Sequence, residues 1–181
     1  MKTLAPIAAL LVLIAGPAAA SLPVGAKAPT FATQAAKAGK PFRFDLSRAL
    51  AKGPVVLYFY PKAFTHGCTL EAHAFAEASD EFAKYGATIV GMSNDDIDTL
   101  RLFSTEACRN KFSVGSATPK IVAAYDVDLV RDGKSTGVTS RTSYVIDKSG
   151  KVVFVHSDLD YKDHVRLTLN AVKKLQANRK R

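Results

Sequence analysis

Val55-Val56-Leu57-Tyr58-Phe59-Tyr60-Pro61-Lys62-Ala63-Phe64-Thr65-His66-Gly67-Cys68 is the stretch on which the reading of this chain turns. Its first six residues are continuously apolar, β-branched or aromatic, the pattern of a strand buried on both faces. Pro61, which has no N–H to give a sheet, stops that strand. A loop follows to Cys68. The residues from Thr69 to Tyr85 then place Phe75, Ala78, Phe82 and Tyr85 on one helical face, with Glu71, Glu77, Asp80 and Lys84 elsewhere and Gly86 as the stop. Cys68 is therefore expected at the amino terminus of an amphipathic helix that leaves the end of a central strand.

Working outward, Ala87 to Met92 reads as a second buried strand. Ser93, with Asp96 three residues on, reads as the cap of a helix carrying Ile97, Leu100, Phe103 and Ala107. Two strands joined through a helix are expected to be parallel, with a right-handed crossover. Thr142 to Ile146 and Val152 to Val155 flank the turn Asp147-Lys148-Ser149-Gly150 and read as an antiparallel pair. A final helix is expected from Lys162 to Gln176, through Val165, Leu169 and Val172. Upstream, the segments around Phe31 and Pro41-Phe42-Arg43-Phe44 can pair as a short hairpin across Ala38-Gly39-Lys40. The expected class is α/β, a thioredoxin fold with a central mixed sheet, helices on both faces and an N-terminal hairpin added to it.

The amino terminus is of another kind. Met1-Lys2-Thr3, an apolar run from Leu4 to Ala15 and Gly16-Pro17-Ala18-Ala19-Ala20 form a basic start, a short apolar core and a small-residue end, as in a secretory signal peptide. The run is shorter than the roughly 20 residues of a bilayer span, so no stable membrane insertion is expected. Residues 1–20 are read as the signal peptide, with cleavage after Ala20, and 21–181 as one domain, secreted across an inner membrane into the periplasm.

Lys and Arg total 25 against 16 Asp and Glu, a net charge of +9. Such a surplus could serve nucleic acid, but apart from Arg179-Lys180-Arg181 the basic residues are dispersed, which points to a solvated surface and no nucleic-acid partner. The two cysteines are Cys68 and Cys108. Export makes a structural disulfide between them one reading.

Chemistry at Cys68 is the other. Unsatisfied N–H groups at a helix amino terminus favour a negative charge and hence the thiolate, the form that attacks oxygen. Reduction of a peroxide also needs donors for the peroxide oxygens. Thr65 can offer a hydroxyl from the same loop, and Pro61 can wall one side of the pocket. Arg141, at the start of the Thr142 to Ile146 strand, can bring a fixed charge with several directed donors across the site.

At these residues the chain resembles a peroxiredoxin. Tyr58-Phe59-Tyr60-Pro61-Lys62 leads to Thr65-x-x-Cys68, with Arg141-Thr142-Ser143-Tyr144-Val145-Ile146-Asp147 downstream, and the likeness extends from roughly Val24 to the last helix. It is most similar to the bacterioferritin comigratory protein, or PrxQ, subfamily of the AhpC/TSA type. The resemblance implies that Cys68 is the peroxidatic cysteine, that Thr65, Pro61 and Arg141 share its roles, and that no metal or cofactor takes part. It implies a thiol-dependent peroxidase acting on hydrogen peroxide and organic hydroperoxides through a sulfenic acid, restored by a thioredoxin-like or glutaredoxin-like protein or a small thiol. It leans towards a monomer.

The pattern departs in one place. Many relatives carry a resolving cysteine five residues after the first, where this chain has His73, leaving Cys108 as the internal candidate. Cys108 also shares a helical side with Ile97, so a buried, inert side chain stays open as an alternative. His66, Cys68 and His73 match no common zinc spacing. His66 reads as an exposed loop residue, Glu71 as a complement to the helix dipole, and Tyr58 and Tyr60 as core. A thiol-disulfide oxidoreductase would need Cys-x-x-Cys, absent in Cys68-Thr69-Leu70-Glu71; a peroxide sensor on the same fold is the remaining alternative.

Overall fold

The computed structural model describes residues 21–179. Its centre is β3, Val55–Phe59, every residue of which is buried. Alternation along the strand divides the apolar interior in two. Val56, Tyr58 and Tyr60 face one layer, with Phe75 and Phe82 of α2 (His66–Lys84), Leu100 and Phe103 of α3 (Ile97–Glu106) and Val172 of α5 (His164–Arg179). Val55, Leu57 and Phe59 face the other, with Leu46 and Leu50 of α1 (Leu46–Lys52) and Ile121, Val122 and Tyr125 of α4 (Pro119–Tyr125). A continuous apolar run is thus what a strand covered by helices on both sides requires.

The sheet has seven strands in the order β2-β1-β5-β4-β3-β8-β9. β4 (Thr88–Ser93) pairs parallel with β3 and with β5 (Ser113–Ser116), whereas β8 (Thr142–Ile146) lies antiparallel to β3 and β9 (Val152–Ser157) antiparallel to β8. The mixed thioredoxin-type sheet expected from the sequence is present. The N-terminal hairpin is also present, as β1 (Ala32–Lys37) and β2 (Lys40–Asp45), with β1 antiparallel to β5 at its other side. Ala38 and Gly39 both have positive φ, as a two-residue turn of the primed type demands.

Three details differ from the sequence reading. Ser93 ends β4 and does not cap α3; Asp96 does so, accepting from Thr99 N at 2.8 Å. The final helix starts two residues later than expected, at His164, and extends to Arg179. The short elements α1, β5, α4 and the separate pair β6 (Asp128–Arg131) and β7 (Lys134–Thr139) are additional to those the sequence pattern predicts. The signal-peptide reading concerns residues 1–20, outside the described part. Among the described residues no helix is long and apolar enough to cross a membrane.

Candidate active site

β3 delivers the chain to the site, and its end is held at both backbone groups of Tyr60. Tyr60 N donates to Met92 O at 3.0 Å, and the buried Thr139 hydroxyl donates to Tyr60 O at 2.7 Å. Beyond Pro61 the loop is pinned again by Asp95, whose Oδ2 accepts from Ala63 N at 2.8 Å and from Ser93 Oγ at 2.7 Å. Phe64 takes a left-handed backbone, φ 63°, costly for a residue with a Cβ; its half-exposed ring rests edge-on against Phe103 at 5.2 Å. Strain of this kind persists only where neighbours over-determine the conformation, as Asp95 and Phe103 do here.

The loop ends at Thr65, the N-cap residue of α2, whose side chain makes no capping bond. Its hydroxyl donates instead to Lys62 O at 2.9 Å, so the proton is used within the loop while the oxygen keeps its acceptor capacity. His66, Gly67 and Cys68 form the first turn, where backbone N–H groups have no partner within the helix. His66 is exposed, as expected, but belongs to the helix rather than the loop. Cys68 is 2% exposed and its thiol is free.

Arg141 reaches this turn from the residue before β8. Only 5% exposed, it uses all three nitrogens: Nη2 donates to Cys68 Sγ at 3.5 Å, Nε donates to Leu159 O at 2.9 Å, and Nη1 donates to Glu71 Oε2. A lysine's three donors radiate from one nitrogen and would not span acceptors that are met here by three separate nitrogens. Gly67 lies under this arm, where a Cβ would come within 3.4 Å of Arg141 Nη2 and 3.8 Å of the ring of Tyr161.

Glu71 corrects the sequence reading. It is not a solvent-facing complement to the helix dipole: it is fully buried and paired with Arg141. Burial pushes its carboxyl up to about 8, with the Arg141 charge pulling the other way. Tyr58 and Tyr60 are core residues, as read, although both hydroxyls are buried without a hydrogen-bond partner. Asp95 and His164 have no place in the sequence reading; Ser93, read there as a cap with Asp96, instead donates to Asp95.

Cys108 lies just beyond α3 with no exposed surface, and burial pushes its thiol well up. It is also free, so the resting disulfide is not present. Among the described residues no cluster of His, Cys, Asp and Glu is placed to hold a metal ion.

A buried cysteine on a helix amino terminus, met by an arginine from the residue before a neighbouring strand of a thioredoxin-type sheet, is an arrangement suited to thiol redox chemistry. The profile of the AhpC/TSA family matches residues 24–155, and the chain belongs to that family. Peroxiredoxin Bcp of Bacillus subtilis is 32% identical over 121 residues, covering 66% of this chain and 77% of that protein. Among solved structures, peroxidoxin BcpB of Mycobacterium tuberculosis is 34% identical with a TM-score of 0.71, over 83% of this chain and 96% of its own. Peroxiredoxin Q of Xanthomonas campestris is 29% identical with a TM-score of 0.69, over 79% and 90%. The protein is a thiol-dependent peroxidase of the peroxiredoxin type, similar to the Bcp and PrxQ members.

Proposed function

We propose that Cys68 is the thiol that reduces hydrogen peroxide and organic hydroperoxides. The observation that carries this reading is the approach of Arg141 Nη2 to Cys68 Sγ, 3.5 Å apart, at an uncapped helix amino terminus. The thiolate attacks one peroxide oxygen, a sulfur–oxygen bond forms and the O–O bond breaks. The departing oxygen takes the electron pair and a proton and leaves as water or alcohol, and Cys68 becomes a sulfenic acid. In this reading Arg141 and the N–H groups of the first turn stabilise the charge that develops on the departing oxygen. Thr65, whose oxygen still accepts, orients the peroxide proton, and Pro61 walls the pocket.

Cys108 then condenses with oxidised Cys68, releasing water and leaving a disulfide. This step requires α2 and the end of α3 to open locally, since buried sulfurs held apart cannot bond without backbone movement. Consecutive left-handed residues, Arg109 and Asn110, directly after Cys108 support a segment that opens there. A dithiol of thioredoxin or glutaredoxin type, or two equivalents of a small thiol, returns both cysteines to thiols. The likeness to the Bcp and PrxQ members supports a working monomer. Residues 1–20 support export to the periplasm.

Steady peroxide consumption with a supplied thiol tests the reading. It is expected to disappear in Cys68→Ser, whereas Cys108→Ser is expected to accumulate a sulfenic acid detectable by mass. One oxidation per chain with little turnover would favour a sensor, and stable sulfenic acid in the unaltered protein with no Cys68 to Cys108 linkage would sink the resolving role.

A further inference from the structure

Behind Arg141 lies a line of buried polar groups outside the reach of a peroxide bound at Cys68. Glu71 gives Oε2 to Arg141, but its other oxygen, Oε1, is buried with no hydrogen-bond donor. The atom facing Oε1 is His164 Nδ1 at 3.8 Å, beyond hydrogen-bond range. His164 opens α5, is fully buried, and has both ring nitrogens engaged: Nε2 with the Asp158 carbonyl at 2.9 Å and Nδ1 with the Ser143 hydroxyl at 2.8 Å. A carbonyl only accepts, so Nε2 carries the ring proton. Nδ1 therefore accepts from Ser143 and has no hydrogen to offer Glu71. Burial, the largest influence on His164, pushes it down to about 4 and keeps the ring neutral at pH 7.

Glu71 thus stands between one cation and a ring nitrogen that has no hydrogen to give. The other titratable groups around this line are Cys68 on α2, Tyr58 on β3, His156 on β9, and Asp158 and Asp160 in the loop before α5. The His156 ring lies 4.6 Å from that of His164, and its Nε2 is buried without a partner. Arg141 is the one buried Lys or Arg among the described residues. An ionised Glu71 competes with the Cys68 sulfur for its charge, and a protonated Glu71 does not.

We propose that Glu71 and His164 are positioning residues for peroxide reduction: His164, by presenting an unprotonated Nδ1, keeps Glu71 protonated in the working pH range, so that the Arg141 charge serves the sulfur and the departing oxygen. The inference rests on Cys68 being the reacting thiol. Its distinguishing mark is an alkaline loss of rate that belongs to Glu71.

The test is the second-order rate of Cys68 oxidation by hydrogen peroxide between pH 5.5 and 9.5, followed by stopped flow on the full chain. The unaltered protein is expected to pass through a maximum and to lose about tenfold above pH 8 as Glu71 ionises. Glu71→Gln leaves an oxygen for Arg141 but cannot ionise, and is expected to abolish the fall. Ser143→Ala frees Nδ1 to take a proton and face Glu71 as a donor, and His164→Gln places an amide there. Both are expected to move the fall about one pH unit lower. An unaltered protein flat above pH 8, or a Glu71→Gln that keeps the fall, overturns the role of Glu71. A fall that stays in place in both other variants, whatever happens to their thermal stability, overturns the role of His164. Failure of the underlying reading is seen separately, as peroxide turnover that survives Cys68→Ser with Glu71, Ser143 and His164 intact.

Discussion

Replacing Arg141 by methionine keeps most of the side chain's length and removes its charge and all three donors. At 3.5 Å from Cys68 Sγ, a full positive charge acts on a full negative one with about 5 kcal/mol at an effective dielectric of about 20. Not all of that is lost in the reaction barrier, because the guanidinium acts on the sulfur before the reaction as well as on the oxygen that leaves. What remains is the stabilisation of charge moving from sulfur to the departing oxygen, for which the loss of a directed donor costs about 3 kcal/mol, a slowing of 100-fold to 200-fold. Single-turnover oxidation of Cys68 by stoichiometric hydrogen peroxide at pH 7 measures it directly. Arg141→Lys, which keeps the charge and loses the fork, is expected to fall between, at about a tenfold loss. An Arg141→Met protein that folds and oxidises within threefold of the unaltered rate would refute the assignment of Arg141 to the reacting centre.

Three further outcomes follow from other parts of the molecule. Asp95→Ala removes the acceptor of Ala63 N and Ser93 Oγ; it is expected to cost about 1–3 kcal/mol in urea unfolding and to slow peroxide reduction about tenfold by loosening the loop before Cys68. Gly91→Ala puts a Cβ 2.8 Å from the Tyr58 ring, which is itself stacked on Phe75 at 4.3 Å and cannot swing aside; equilibrium unfolding should show a loss of about 1–3 kcal/mol. The folded-state value of His164, about 4 against an ordinary 6.5, is a depressed one. Its contribution is therefore complete above about pH 6.5 and lost as pH falls towards 4. Relative to His164→Gln, the unaltered protein is expected to lose about 3 kcal/mol more over that window, measured by urea unfolding at several pH values.

The elements that sequence pattern revealed are those whose own residues carry the signal. β3 is five buried residues in a row, and α2 repeats its apolar positions over nineteen residues, so both were legible without knowing their neighbours. β5 is Ser-Val-Gly-Ser, and α4 is a seven-residue helix, too short to be stable without packing; both exist because the sheet and the second apolar layer hold them. The same contrast runs through the site. Cys68, Thr65 and Pro61 are close along the chain, and Arg141 was reachable by asking which strand could face them. Glu71 was misread because its partner lies 70 residues away, and a carboxylate in a first helical turn looks the same in sequence whether it meets water or a buried guanidinium. His164 carried no periodic or spacing signal at all.

The turn after Cys108 is clasped to the outer face of α2 by two exposed ion pairs, Arg109 with Glu77 at 3.1 Å and Lys111 with Asp80 at 3.2 Å. Each is worth at most about 1 kcal/mol and is screened by salt. Together they act as a spring-loaded fastening between the two cysteine-bearing segments, one whose tension is set by the surrounding medium. Any reaction that needs these segments to part should quicken as ionic strength rises, while peroxide attack at Cys68, powered by a buried charge, should hardly notice.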